Sequence, residues 1–587
     1  MMLLLTQSIF IQRGYIMKLK RIFAVAASIL MCVSINSNVY AEQETVQITV
    51  SPSEEQKSIS PYIYGVNSGA DLSAVSAKSF RLGGNRLSAY NWETNVSNAG
   101  SDWNNTSDMY LVQNALEEYK FAPGGAALQA SYEAKSGNVP YTLLTLQMVG
   151  YTSSDKRGRP TEENAAPSAY WDKVVNRKNS EFLLEPDVDD DFVYMDEYLN
   201  YLITTLGNSE SETGFKAYAL DNEPSLWKHT HSLIQQEPLT CAELIEKSVD
   251  LAKVVKDMDS NADVFGPSLF GYSAFDTLAG APDWNQLEKE KNYRWFIDYY
   301  LDEMRKAEEE NGIRLLDVLD IHYYTEAKGV CGERSCNHYD NDECIKARLD
   351  SVRSLYDETY RENSWITDTG AEFFPLLPNI KKSIDTYYPE TKLAFTEYNF
   401  GGGDHISGAV TQADALGIFA ENDVYFATIW SFDHNEYQLS AINMFTNYDG
   451  LGNGFGDTLV KSEKNNENIS VYSSVDSKDE SVVKIIVTNR NINDETPVTI
   501  NLSSEEIYGN AEVYSLFGDT PEIRQLDGIE SISENNFSYT LSALSVTEFV
   551  VHIKEDTVNI PIIVITGISV ASLIIIVIII LKKLAHK

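Results

Sequence analysis

Eight short apolar, β-branched segments recur through the middle of the chain, and this repeat narrows the fold more than any other feature. They are YIYGVN (62–67), SFRLGGN (79–85), PYTLLTLQ (140–147), FKAYALDNEP (215–224), ADVFGPS (262–268), LDVLDIHYY (316–324), KLAFTEYNF (392–400) and VYFATIW (424–430). Amphipathic stretches such as MDEYLNYLITTLG and AELIEKSVDLAKVVKDM lie between several of them. Strands buried on both faces read as near-continuous apolar runs, and their alternation with helices specifies a parallel sheet. Eight such units between residues 62 and 458 predict an α/β fold, a (β/α)8 TIM barrel with long loops; a doubly wound open sheet is the alternative. The glycines at 83–84 and 401–403 lack the spacing and helix context of a dinucleotide site.

Beyond residue 458 the texture changes. Alternating β patterns (ISVYSSV, VVKIIVTN, TPVTINL, NAEVYSL, FSYTLSALSVTEFVVHI) follow one another with polar turns and almost no helical signal. They predict an all-β, antiparallel sandwich over residues 459–553. The strand TVQITV (45–50) precedes the barrel and is free to join the same sheets, which adds residues 43–61 to that domain. The strands carry no row of exposed Trp or Tyr, so a packing module is expected rather than a carbohydrate-binding one.

The two ends read as addresses. From Met17, a basic start (Lys18, Lys20, Arg21) leads into an apolar run and a small-residue site at Val39-Tyr40-Ala41, the pattern of a signal peptide over 17–41. Residues 558–581 are uncharged, rich in Ile and Val, and followed by Lys582 and Lys583. That predicts a C-terminal transmembrane helix with a cytoplasmic tail at 582–587. The expected protein is therefore exported and anchored in the cell membrane, with its larger part extracellular. Cys331, Cys336 and Cys344 crowd one loop, where a disulfide suits an oxidising compartment and zinc held with His338 is the alternative. A formal net charge of −40 repels phosphate backbones, so nucleic acid is excluded as a partner.

In a barrel the C-terminal ends of the strands build the active site, and here those ends carry Asn85, Asn222, Glu223, His322, Tyr324, Glu397, Tyr398 and Trp430. Cleavage of a glycosidic bond needs one carboxyl group to protonate the leaving oxygen and a second to attack or to activate water. Glu223 and Glu397 close the fourth and seventh predicted strands, on opposite sides of a barrel mouth. Pro224 forces the chain to turn after Glu223. Asn222 is suited to a sugar 2-hydroxyl, and Tyr398 is expected to orient the Glu397 carboxylate. Trp92, Trp103, Trp365 and Trp430 are candidate stacking platforms for pyranose rings, with a core position the alternative for all but Trp430; His322 and Tyr324 are expected to contact substrate, with a satisfied core histidine the alternative for His322. The acidic run that includes Asp189, Asp190 and Asp191, together with Glu93, offers oxygen ligands for calcium; a solvated loop is the alternative.

The segments RLGGNRLSAYNWETNVSNAGSDW (81–103), YALDNEPSLWKHTH (218–231), DIHYYTEA (320–327) and FTEYNFGGG (395–403) resemble glycoside hydrolase family 44. The resemblance runs from about residue 45 to 553. It implies a (β/α)8 barrel with a sandwich built from both chain ends, and membership of clan A. It further implies Glu223 as acid/base, Glu397 as nucleophile, a retaining endo-β-1,4-glucanase or xyloglucanase activity on plant cell-wall β-glucans, and a bound calcium. No cofactor is implied for the chemistry itself. The competing expectations are a glycosidase acting mainly on xylan, mannan or mixed-linkage glucan, and a non-catalytic cell-surface glycan-binding protein.

Overall fold

The computed structural model describes residues 44–154, 157–329, 334, 341–430 and 434–554. The eight apolar segments form eight parallel strands that close in chain order: Gly65–Asn67, Ser79–Leu82, Tyr141–Leu146, Ala217–Leu220, Asp263–Leu269, Val318–Tyr324, Lys392–Asn399 and Val424–Ile429. The last pairs with the first through Thr428–Gly65 and Ile429–Val66, which completes the barrel and excludes the open sheet. Side chains alternate across each strand. Leu144, Tyr218, Leu220 and Val264 pack outward into the main core shared with the helices, while Leu143, Ala217, Ala219, Phe265, Val318, Ala394 and Phe426 fill the barrel floor.

The seventh strand breaks this alternation. Ile321 pairs with Phe395 but His322 pairs with Glu397, so one residue is skipped at Thr396. Such a bulge re-aims the side chains beyond it. Ala394 and Glu397 consequently share the inner face although three positions separate them. Tyr398 turns outward into the core, where its ring meets Phe419 edge-on and its hydroxyl accepts from Gln412 Nε2 at 2.7 Å.

The remaining strands form the sandwich. Thr458–Lys464 links its two halves, pairing with Ile469–Asp476 through its first residues and with Val46–Ser51 through its last. Valine, isoleucine and phenylalanine from both halves meet in one core that includes Val46, Ile48, Val487, Ile500 and Phe549. Val46–Ser51 lies parallel to Thr496–Leu502, so the sandwich is not wholly antiparallel as its pattern predicts. The helix Ile406–Glu421 is buried along nearly its whole length between barrel and sandwich. There, Thr488 Oγ1 donates to Asp414 Oδ1 at 2.7 Å.

No helix among the described residues is long and apolar enough to cross a membrane. The segment 558–581, the tail 582–587 and the signal pattern 17–41 all lie outside those residues. On this finding the expected localisation, a protein anchored in the cell membrane through a C-terminal helix, is corrected and set aside. Cys331, Cys336 and His338 also lie outside the described residues; Cys241 is a buried free thiol.

Candidate active site

Two glutamates converge above the apolar barrel floor. Glu223 follows the fourth strand in a left-handed backbone conformation (φ 44°, ψ 55°), its N–H bonded to the Ser268 carbonyl at 3.0 Å. Such a conformation is unusual for a residue with a side chain and recurs at functional turns. Glu397 reaches the same point because of the bulge in the seventh strand. One carboxylate oxygen from each, together with a ring nitrogen of His322, lie within 4.8 Å of one another.

Their surroundings pull the two carboxyls apart. Burial dominates at Glu223 and raises its pKa, an effect reinforced by the negative charge of Glu397 and opposed by a 2.8 Å bond from His322 Nδ1 to Oε1. Burial acts the same way on Glu397, but the charges of His322 and Arg81 outweigh it. Arg81 Nη1 donates to Oε1 at 2.7 Å and the Tyr324 hydroxyl to Oε2 at 2.8 Å, and the carboxyl is held below its ordinary range. His322 is shifted up in turn: burial alone would lower it, and the two carboxylates prevail. A pair of titratable groups with opposed shifts is the signature of divided acid and base roles.

Arg81 is the hub of the site. Fully buried on the second strand, it also donates to Asn67 Oδ1 at 3.0 Å and to Asn222 Oδ1 at 2.8 Å. Asn222 Nδ2 then donates to Asn85 Oδ1 at 3.0 Å. Neither Arg81 nor Asn67 was among the expected site residues. The signal for Arg81 was available, since a cation inside an apolar barrel strand must find a buried partner. The cluster Glu223–His322–Glu397 has the compactness of a metal site, but the guanidinium bonded to Glu397 opposes a cation there.

The candidate platforms separate into two groups. Trp103, 61 % exposed, and Trp430 line a cleft of about 730 Å³ together with Gly84 and Asn85. Trp365, 40 % exposed, lies in the loop after the sixth strand, edge-on to Tyr272 and donating to Glu326 Oε2 at 3.1 Å. Trp92 is corrected: it is fully buried, stacked on Tyr198 with centroids 5.0 Å apart, and has no face for a sugar. Tyr398 is corrected as well, since the bulge turns it away and Tyr324 holds the carboxylate instead. A larger groove of about 1070 Å³ lies on the outer face between the helices Cys241–Met258 and Phe296–Asn311 and contains none of these residues.

A second acidic group surrounds Glu93. Its carboxyl is pushed up to about 9 by burial and then by the charges of Asp190, Glu197 and Asp172, with Lys178 opposing. Oε2 of Glu197 is buried without a hydrogen-bond partner among the described residues. Crowded carboxylates with an orphaned oxygen suit a hard cation, although Lys178 Nζ already pairs with Glu197 Oε1 at 2.6 Å and the assembly is looser than the cluster at Glu223. Asp189 and Asp191 are exposed and do not figure among the charges acting on Glu93, so of the expected acidic run only Asp190 joins it.

The profile of glycoside hydrolase family 44 matches residues 96–327. Endoglucanase A of Paenibacillus lautus is 43 % identical over 545 residues, 92 % of this chain and 77 % of that protein. The crystal structure of a family 44 endoglucanase from Clostridium thermocellum has a TM-score of 0.84 at 46 % identity, covering 87 % of this chain and 100 % of its own. A Paenibacillus polymyxa xyloglucanase of the same family, solved with xyloglucan, gives 0.84 at 41 % identity with the same coverages.

Proposed function

The chain belongs to glycoside hydrolase family 44 and is a glycoside hydrolase, and from that premise we propose that it is a retaining endo-β-1,4-glucanase with xyloglucan among its substrates. The observation that carries this reading is the opposed tuning of two closely spaced carboxyls, Glu223 shifted toward its protonated form and Glu397 toward its ionised form. A separation of about 5–5.5 Å belongs to double displacement, whereas inverting pairs stand roughly 6.5–9.5 Å apart to admit water; oxygens within 4.8 Å favour the former.

In the first step Glu397 attacks the anomeric carbon while Glu223 passes its proton to the departing glycosidic oxygen, leaving a glycosyl ester on Glu397. Ester formation removes the negative charge that raises Glu223. The Glu223 carboxyl therefore becomes more acidic just when a base is needed, and it takes a proton from the water that attacks the ester. His322 Nδ1 keeps Glu223 aimed through both steps, while Arg81 and Tyr324 keep Glu397 ionised before attack. Asn222, fixed by Arg81 and Asn85, is the proposed contact for the 2-hydroxyl. Trp103 and Trp430 after the second and eighth strands and Trp365 after the sixth let a chain run through the site, which favours endo action. Endoglucanase and xyloglucanase are the activities named for the relatives.

The test is a panel of xyloglucan, β-1,4-glucan, mixed-linkage glucan, xylan and mannan with product sizing and anomer analysis. Xyloglucan or β-1,4-glucan should fall to mid-length fragments whose new ends first appear as the β-anomer. Absence of new reducing ends from both polymers, or α-anomeric first products, would sink the reading.

We also propose that Glu93, Asp172, Asp190 and Glu197 hold a calcium ion of structural role. At one hundred times its Kd the ion would add about 2.7 kcal/mol to stability. EDTA should lower Tm, calcium should restore it, and Glu93→Gln should abolish the response. A Tm indifferent to both EDTA and calcium contradicts the assignment.

A further inference from the structure

Asp221, buried between the second, third and fourth strand ends, has no part in the chemistry above, yet it accepts more bonds than any other carboxylate near the site. Oδ1 accepts from the Ser88 hydroxyl and from the N–H of Asn222 at 2.7 Å. Oδ2 accepts from the N–H of Met148 and from that of Val149 at 3.0 Å. An ionised carboxylate has about four lone-pair sites, and all are used here. Its own N–H reaches back to the Leu146 carbonyl at 2.9 Å, and its φ of 63° is left-handed like that of Glu223 two positions on. Two residues with side chains in this region, flanking Asn222, make a bend that persists only where its surroundings over-determine it.

We propose that Asp221 is a positioning residue for the general acid: its carboxylate clasps the bend 220–224 to the loops after the second and third strands and so aims Glu223 and Asn222 into the cleft. The clasp also fixes the short helix Asn85–Ser88, since Ser88 binds Asp221 while Asn85 binds Asn222. Lys247, on the helix Cys241–Met258, feels the charge of Asp221; it bonds the Met148 carbonyl at 3.0 Å and braces the same turn. The inference rests on Glu223 being the acid.

Three of the partners are N–H groups that can only donate, so the clasp is strongest with the ionised carboxylate; a protonated one must turn its O–H onto the Ser88 hydroxyl and gives up the charge behind the other bonds. Burial pushes this carboxyl up to about 6 against the four bonds that lower it. The clasp is thus weakened over a range where Glu397, shifted downward, is still ionised. The sign for stability is opposite. A carboxyl whose folded value lies above its unfolded value of 3.8 costs the fold stability at neutral pH and relieves that cost as pH falls through about 6. Acid should therefore reduce activity through Asp221 without loosening the fold through it.

The experiment compares wild type, Asp221→Asn, Ser88→Ala and Glu223→Gln on xyloglucan and on an aryl β-cellobioside whose leaving group needs no protonation. Asp221→Asn should lose about 100-fold in kcat/KM on the polymer and less than about tenfold in kcat/KM on the aryl glycoside, because the deficit in the first step is one of acid catalysis. Its Tm should hold or rise, and the acid limb of kcat/KM near pH 6 should move down toward that of Glu397. Ser88→Ala, which removes one donor of four, should show the same selectivity at about tenfold or less. Equal loss on both substrates by Asp221→Asn, or an acid limb that stays put, would overturn the inference. If Glu223→Gln itself loses both substrates equally in kcat/KM, the underlying assignment of the acid has failed instead, and the two failures are told apart.

Discussion

Glu397→Gln is expected to reduce turnover of every substrate by about 10⁴-fold or more, because an amide supplies neither the negative charge nor the oxygen nucleophile that forms the glycosyl ester. Glu223→Gln is expected to behave differently. On polysaccharide, where the leaving alkoxide needs a proton, the loss should be about 10²–10⁴-fold. On an activated aryl glycoside the first step should survive and the glycosyl-enzyme accumulate, giving a burst followed by slow release. Azide, a nucleophile that needs no base, should then restore turnover and yield a β-glycosyl azide. The two variants also report on each other. Glu397 carries one of the charges that raise the Glu223 carboxyl, so in Glu397→Gln the Glu223 titration, followed by carbon NMR, should move down. Equal loss by both variants on the activated substrate, or an unmoved Glu223 titration, would contradict the division of roles.

The barrel was legible because buried parallel strands impose a composition: Tyr141–Leu146 and Ala217–Leu220 are buried at every position, and only apolar runs satisfy that. The sandwich was legible from alternation, and Thr496–Leu502 buries every second residue. What escaped was whatever depends on a local departure from those periods. Strict alternation gives no warning of a skipped residue, and the bulge at Thr396 makes Tyr398 a core residue while Tyr324, one strand away, takes its expected task. Trp92 sits near polar residues in sequence but inside an aromatic stack in space. The parallel pairing of Val46–Ser51 with Thr496–Leu502 joins segments from opposite ends of the chain, and no local pattern encodes that direction. Asp190 could be singled out as acidic, but its company, Asp172 and Glu197, is set by the loop's path and not by adjacency.

Arg81→Met is expected to be the most damaging substitution for stability, at about 3–5 kcal/mol, because it leaves the buried Glu397 carboxylate without its cation. The ion pair is 2.7 Å long with both side chains almost wholly excluded from solvent, and the same guanidinium also satisfies Asn67 and Asn222. Loss of the fork should displace Asn222 and Glu397 together, and a misplacement of about 1 Å in a reacting group is worth roughly 10²-fold in rate. Arg81→Lys keeps a charge but not the planar fork, so it should recover part of the stability and little of the rate. The pH dependence gives the sharper check. In wild type the folded value of Glu397 lies below its unfolded value of 4.5, so its ionisation contributes stability that is present above 4.5 and lost as pH falls through the lower folded value. Without Arg81 the burial that raises Glu397 is opposed only by His322 and Tyr324, so the carboxyl should titrate higher and the acid limb of kcat/KM should follow it upward. The stability gap between wild type and Arg81→Met should then be widest near neutrality and narrow in acid, where protonated Glu397 no longer needs a cation and wild-type Arg81 is the group left unpaired. Urea unfolding at several pH values measures that gap. A gap that is constant with pH, or smaller than about 1 kcal/mol at pH 7, would mean that the pair is not what holds Glu397 ionised.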